Sequence, residues 1–176
     1  MSIAPPLKVG NLLFVGGIKN KSMLVRLSKD KPNADVVWRG KNGVGVGPSH
    51  CPVIVYTKNP DYVYGVDRGG LRCVRLSTGE HMWESFELMA SGRRSNAGTI
   101  FITPHRDRYF LFSETGELAI ANLSPQGYRE LGRTKPLLKP THDAFGRSVV
   151  WSAPAFANRA MFVRNDEELI RVDLGE

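Results

Sequence analysis

The 176 residues contain only two cysteines, Cys51 and Cys73, in neither a CxxC nor any other zinc-ligand spacing. A cysteine-built metal site and a dense disulfide framework are thereby excluded. The pair reads as two buried thiols in strands, with a disulfide as the alternative, so the redox compartment stays open. No apolar run approaches the roughly 18 residues that a membrane-crossing helix requires, and no membrane span is expected. The N-terminal MSIAPPLKVGN has no charged start followed by an apolar stretch, so no secretory signal is visible. The chain reads as cytoplasmic as it stands, and as periplasmic if an upstream half carries a signal. Blocks of like charge are also missing. The net charge of +7 comes from 24 basic and 17 acidic residues, but they are scattered. That sign favours acidic partners. Nucleic acid is not expected, because stacking aromatics are not interleaved with the basic residues.

Catalytic spacings are equally scarce. His50, His81, His105 and His142 form no HxH or HxxxH pair, and no serine sits in GxSxG. The GVGVG at 43–47 suggests a dinucleotide loop only superficially, since Pro48 and a strand follow where a helix is needed. It reads as a flexible connecting loop. The glycosylation sequons at Asn20 and Asn122 read as coincidence. No stretch keeps a 3.6-residue period over three turns, which predicts helix in less than about a tenth of the chain.

What the chain does have is turns and a repeat. Gly 18 and Pro 11 make up about a sixth of it. Residues 62–76, 109–123 and 160–174 align without a gap, and 12–27 aligns with one inserted residue. Starts at 12, 62, 109 and 160 give the period of a propeller blade, not of a helical solenoid. Each unit reads as two short strands around a polar or Gly-rich turn: GGIKNKS, DRGG, ETGE and NDEE. A further strand is expected upstream of each, in PPLKV, SHCPVIV, NAGTIFI and WSAPAFA. One is also expected downstream of the first three, in ADVVWRG, EHMWESF and GYRELGR. The predicted architecture is therefore all-β, a partial β-propeller of about four four-stranded antiparallel blades with the last incomplete. The blades are expected at about 5–40, 49–86, 94–135 and 149–176, with a β-sandwich as the alternative.

The small-Pro-apolar start, the following aromatic-Val/Tyr-x-Asp-x-x-Gly-x-Leu-x-Cys and the LSTGEHMWE of residues 49–85 resemble the PQQ-type repeat of quinoprotein-alcohol-dehydrogenase-like propellers. The segments GELAIANLSPQGYRELGRTK and VVWSAPAFANRAMFVRNDEELIRVDL are similar to later blades of bacterial proteins of this type. The resemblance implies that Trp83 and its counterpart Trp38 pack between adjacent blades, and that Gly79 makes a turn only glycine makes cheaply. These are structural roles, and no catalytic residue is expected. Enzymes of that superfamily bind PQQ with Ca²⁺ and an Asp base, many beside a vicinal disulfide. This chain has no adjacent cysteines, and its densest acidic cluster, Asn165-Asp166-Glu167-Glu168, falls in a turn, whereas Ca²⁺ wants six to eight converging oxygens. PQQ and calcium thus enter by resemblance alone, and the expectation is no cofactor and no metal.

The resemblance also implies about seven or eight blades where this chain carries fewer than four. The expected partner is therefore a protein, the missing N-terminal half of a propeller, or a second copy in a homo-oligomer. Three long connectors, 40–50, 86–95 and 136–148, are expected on one face, where His50, Arg93, Arg94, His142, Asp143 and Arg147 would form a mostly basic rim able to hold a ligand. Three functions follow: a non-catalytic binding or scaffold module; the C-terminal half of a PQQ-dependent dehydrogenase whose catalytic residues lie outside this chain; and a small-molecule or polyanion receptor using the rim.

Overall fold

β-Branched and aromatic residues recur in short runs between Gly-, Asn- and Pro-bearing turns, and each run becomes one strand. The computed structural model describes residues 4–17, 21–41, 43–47, 51–56, 58–89, 92, 98–144 and 146–175, among which there is no helix. Blade 1 comprises β1 (Leu7–Val9), β2 (Leu12–Val15), β3 (Met23–Leu27) and β4 (Ala34–Arg39). Blade 2 comprises β5 (Ile54–Val55), β6 (Tyr62–Asp67), β7 (Gly70–Arg75) and β8 (His81–Ser85). Blade 3 comprises β9 (Ile100–His105), β10 (Arg108–Ser113), β11 (Leu118–Ser124) and β12 (Gly127–Arg133). In each, the strands pair antiparallel in chain order. A two-residue hairpin, β13 (His142–Asp143) with β14 (Ser148–Val149), precedes blade 4, which holds β15 (Ala155–Ala157), β16 (Ala160–Arg164) and β17 (Leu169–Asp173).

Alternation along a strand decides which neighbouring blade a side chain meets. Val63, Val74 and Leu76 pack with Phe14 and Leu24 of blade 1. Tyr64, Val66, Leu71 and Cys73, on the other face of the same sheet, pack with Ile100, Tyr109 and Leu111 of blade 3. In β10 the residues divide likewise: Tyr109 and Leu111 face blade 2, whereas Phe112 joins Met161 and Val163 of blade 4. Both faces of the middle sheets are thus dry, which is why their sequences look continuously apolar. Each fully buried Leu or Phe contributes about 1.5–3 kcal/mol through area removed from water.

A bulge recurs at one place in all three complete blades. It falls at Leu24/Val25, at Cys73/Val74 and at Ile120/Ala121, always between third and fourth strands. The extra residue twists the outer strand. Opposite the residue just before the bulge stand Trp38, Trp83 and Gly132 respectively.

The connectors are more ordered than a reading as open loops implies. The GVGVG segment is pinned rather than flexible, because the Gly45 N–H donates to the Gly79 carbonyl, His81 Nε2–H donates to the Gly45 carbonyl, and Val46 is fully buried. Within 136–148, expected as a loop, His142 pairs with Val149 and Asp143 with Ser148. Each connector packs on the turn between second and third strands of its own blade. Gly40 N–H reaches Ser22 O at 2.7 Å, Met89 covers Gly69, and Leu137 N–H reaches Gly116 O at 2.8 Å. Connectors and these turns therefore share one side of the molecule, as expected.

Candidate functional site

The residues singled out by the repeat lie at blade junctions. The Trp38 indole N–H donates to the Leu76 carbonyl of blade 2 at 2.8 Å, and the Trp83 indole N–H to the Ser124 carbonyl of blade 3 at 2.7 Å. Each outer-strand tryptophan thus brackets the following blade where its third strand ends. Gly79 has φ +76°, and a Cβ there would stand 3.0 Å from the Trp38 ring, so the turn is both left-handed and the floor under that indole. These positions are structural.

A second recurring feature escaped the sequence reading. Asp67, Glu114 and Asn165 occupy the same position of the repeat, at the end of the second strand or just beyond it, and all three are buried. Each is satisfied differently. Asp67 accepts from the nearly sequestered Arg72 at 2.5 Å, and the same guanidinium donates through Nε to Glu84. Glu114 receives a two-pronged contact from Arg147, at 3.0 and 3.2 Å, while its backbone joins Thr99 and Val150. Asn165 Oδ1 accepts from Glu167 N–H and Glu168 N–H, and its Nδ2–H₂ donates to Lys139 O. A signal existed in the sequence: the sixth position of the three gapless segments reads D, E, N.

Of the expected rim, His50, Arg93 and Arg94 lie outside the described residues. Arg147 is engaged by Glu114, so its charge is matched. His142 Nδ1 stands 3.0 Å from Asp166 Oδ2 and its ring lies 5.3 Å from that of Trp151. Asp143 is exposed one residue further along β13. The structure pairs His142 with Asp166 and Arg147 with Glu114, and sets the three described rim residues on the single hairpin of β13 and β14. Among the described rim residues, His142 and Arg147 each face a carboxylate.

The buried nucleophiles are quiet. Burial pushes the Cys51 and Cys73 thiols up to about 12, and both are free. Cys51 lies in a connector and Cys73 in β7, so neither provides a vicinal disulfide. The 165–168 turn does not fit calcium: the Asn165 oxygen is spent on backbone N–H groups and an Asp166 oxygen on His142. Among the described residues no three His, Cys, Asp or Glu side chains are placed to hold a metal. Among the described residues, neither the 165–168 turn nor the two cysteines has the arrangement that the resemblance implies for PQQ and calcium.

The opposite side, made by the turns from first to second and from third to fourth strands, carries a cleft. It has a volume of about 180 Å³ and lies between blades 2 and 3. Tyr56 and Tyr109 form walls, Asn122 and Ser124 supply polar groups, and Lys58 and Asp107 stand at it with opposite charges. Lys58 has no ion-pair partner among the described residues and is exposed. The turn tips on this side carry Arg106 at φ +55° and Arg159 at φ +57°, also exposed. A non-glycine residue held at positive φ costs of order 1 kcal/mol.

No family model matches the chain, and no curated protein matches it in sequence. Its likeness is to solved structures. BamB from Moraxella catarrhalis is similar over 98% of this chain, at 16% identity and a TM-score of 0.58. The putative 6-phosphogluconolactonase from Bacteroides uniformis is similar over 98%, at 13% identity and a TM-score of 0.58. The chain spans 45% of the length of the first and 55% of the second, about half of each. Likeness at such identity speaks to fold alone. Taken with the stacked four-stranded sheets it defines the class: the chain is an all-β, partial β-propeller.

Proposed function

We propose that this chain is a non-catalytic binding or scaffold module, built from PQQ-type repeats, whose partner is a protein. The observation that supports this most is how its buried ionisable groups are used. Arg72, Asp67 and Glu114 each contact an opposite charge within the fold. The two thiols are held far from nucleophilic ionisation. Groups arranged for chemistry instead converge on a cleft with an unfilled position. The propeller fold suits the reading, because stacked sheets offer broad, rigid surfaces on which turns of varied sequence can be presented.

Calorimetric titration with PQQ in the presence of Ca²⁺ tests this, with no saturable heat expected. A PQQ site of micromolar affinity or better would overturn the module reading in favour of half of a quinone-dependent dehydrogenase.

A further inference from the structure

Resting on the module reading, we propose that the side bearing the first-to-second strand turns docks an acidic, extended protein segment, with the cleft between blades 2 and 3 receiving one of its carboxylates.

Charge is the first argument. On the connector side two arginines face carboxylates, Arg147 on Glu114 and Arg133 at 2.6 Å from Glu130 and 3.9 Å from Glu117, whereas Lys135 and Lys139 are exposed. On the turn side the first-to-second turns present Lys58, Arg106 and Arg159, none with an ion-pair partner among the described residues. One acid there, Asp61, is turned inward onto Ser77, accepting from its N–H at 2.8 Å and from its hydroxyl at 2.9 Å. With Asp107 standing exposed between Arg106 and Arg108, the turn tips of three successive blades still carry a net positive charge.

Backbone geometry is the second argument. Glycine or asparagine is the residue that a left-handed turn position favours, yet positions 106 and 159 are arginine. The long cation stands at the tip in that conformation, as Arg68 does at φ +52° on the connector side, where Asp67 lies 3.7 Å from it.

The cleft supplies the third. Its volume of about 180 Å³ suits one side chain, not a cofactor ring system. Lys58 pairs with a carboxylate, while Asn122, held by the Asp107 carbonyl and Arg129, and Ser124, held by Gly127 and Gln126, form a fixed polar wall beside it. Asp107 accepts the N–H donors that a peptide has and a polyphosphate backbone lacks.

Fluorescence anisotropy on the whole chain tests this with a labelled 12-residue peptide of alternating Glu and Ala, its Gln-for-Glu counterpart, and 12-residue oligothymidylate. The Glu peptide is expected to bind, and the Gln peptide at least tenfold more weakly. Lys58→Glu, Arg106→Glu and Arg159→Glu should each weaken the Glu peptide by about two- to fivefold, as exposed pairs do. Lys135→Glu, on the connector side, should change it less than twofold. Arg159→Asn separates binding from folding, because asparagine tolerates the turn: Tm should not fall, while affinity should. No binding of the Glu peptide, equal loss with Lys135→Glu, or tighter binding of oligothymidylate would each overturn the proposal. Failure here with no PQQ bound in the calorimetric titration leaves the module reading standing. A PQQ site with peptide binding intact overturns that reading alone.

Discussion

Trp38 and Leu76 lie 38 residues apart in the chain and meet across a blade junction, indole N–H to carbonyl oxygen, at 2.8 Å. Trp83 and Ser124 repeat the relationship one blade on. The carbonyl involved lies at the end of a third strand, so the indole ties its own outer strand to the hairpin end of the next blade.

Replacing either tryptophan by phenylalanine keeps most of the ring contact and removes the donor. Trp38→Phe and Trp83→Phe are each expected to cost about 1–2 kcal/mol in urea unfolding, with an unchanged m-value. The two junctions share no partner, so the double variant should be close to additive. A cost below a few tenths of a kcal/mol for both would mean that water replaces the bracket without penalty.

Gly116 is the position least able to accept a side chain. Its φ is +83°, and a Cβ would stand 2.1 Å from the Leu138 carbonyl oxygen, a backbone atom that cannot swing aside. Gly116→Ala should destabilise by about 3 kcal/mol or more, combining backbone strain with displacement of the connector. Gly127→Ala, with open space around its Cβ and no positive φ, should stay within about 1 kcal/mol. Thermal unfolding of the two variants side by side decides it.

The thiols set an alkaline limit on stability. Cys51 and Cys73 rise from 9.0 to about 12, chiefly because burial disfavours the thiolate. The folded value lies above the unfolded one, so the unfolded chain loses these protons first as pH increases. Their contribution is complete below pH 9 and is lost between pH 9 and about 12. Urea midpoints should fall across that window, and less steeply in a Cys51→Ala, Cys73→Ala double variant. At pH 8 the native thiols should react with a disulfide reagent far more slowly than in urea.

The repeat made the blades readable. Four apolar runs upstream and three downstream of the aligned segments become β1, β5, β9 and β15, and β4, β8 and β12. Periodicity and turn chemistry are local properties, and a blade is largely a local object. What joins blades was less legible. The His142–Asp166 contact spans 24 residues, and the Arg147–Glu114 pair spans 33. Both arise from a connector folding back over a hairpin, which neither spacing nor composition encodes. The bulge that sets Trp38 and Trp83 at their junctions leaves no local signature either, since Val37 and Met82 read as ordinary strand residues.

The tryptophan brackets have a direction, from an earlier blade to the next one, and direction constrains symmetry. Two copies placed with β17 of one against β17 of the other would pair strand edges but form no such bracket, since the bracket joins sheets stacked face to face. A contact that repeats the interior chemistry must instead be head-to-tail, the trailing sheet of one unit against the leading sheet of the next. Constant rotation per sheet then either closes the array around an axis or winds it into an open helix. A sheet that repeated the bracket at blade 1 would do so from a fourth strand, which blade 4 does not have among the described residues. The brackets of the first two junctions thus give the stacked sheets a leading and a trailing face.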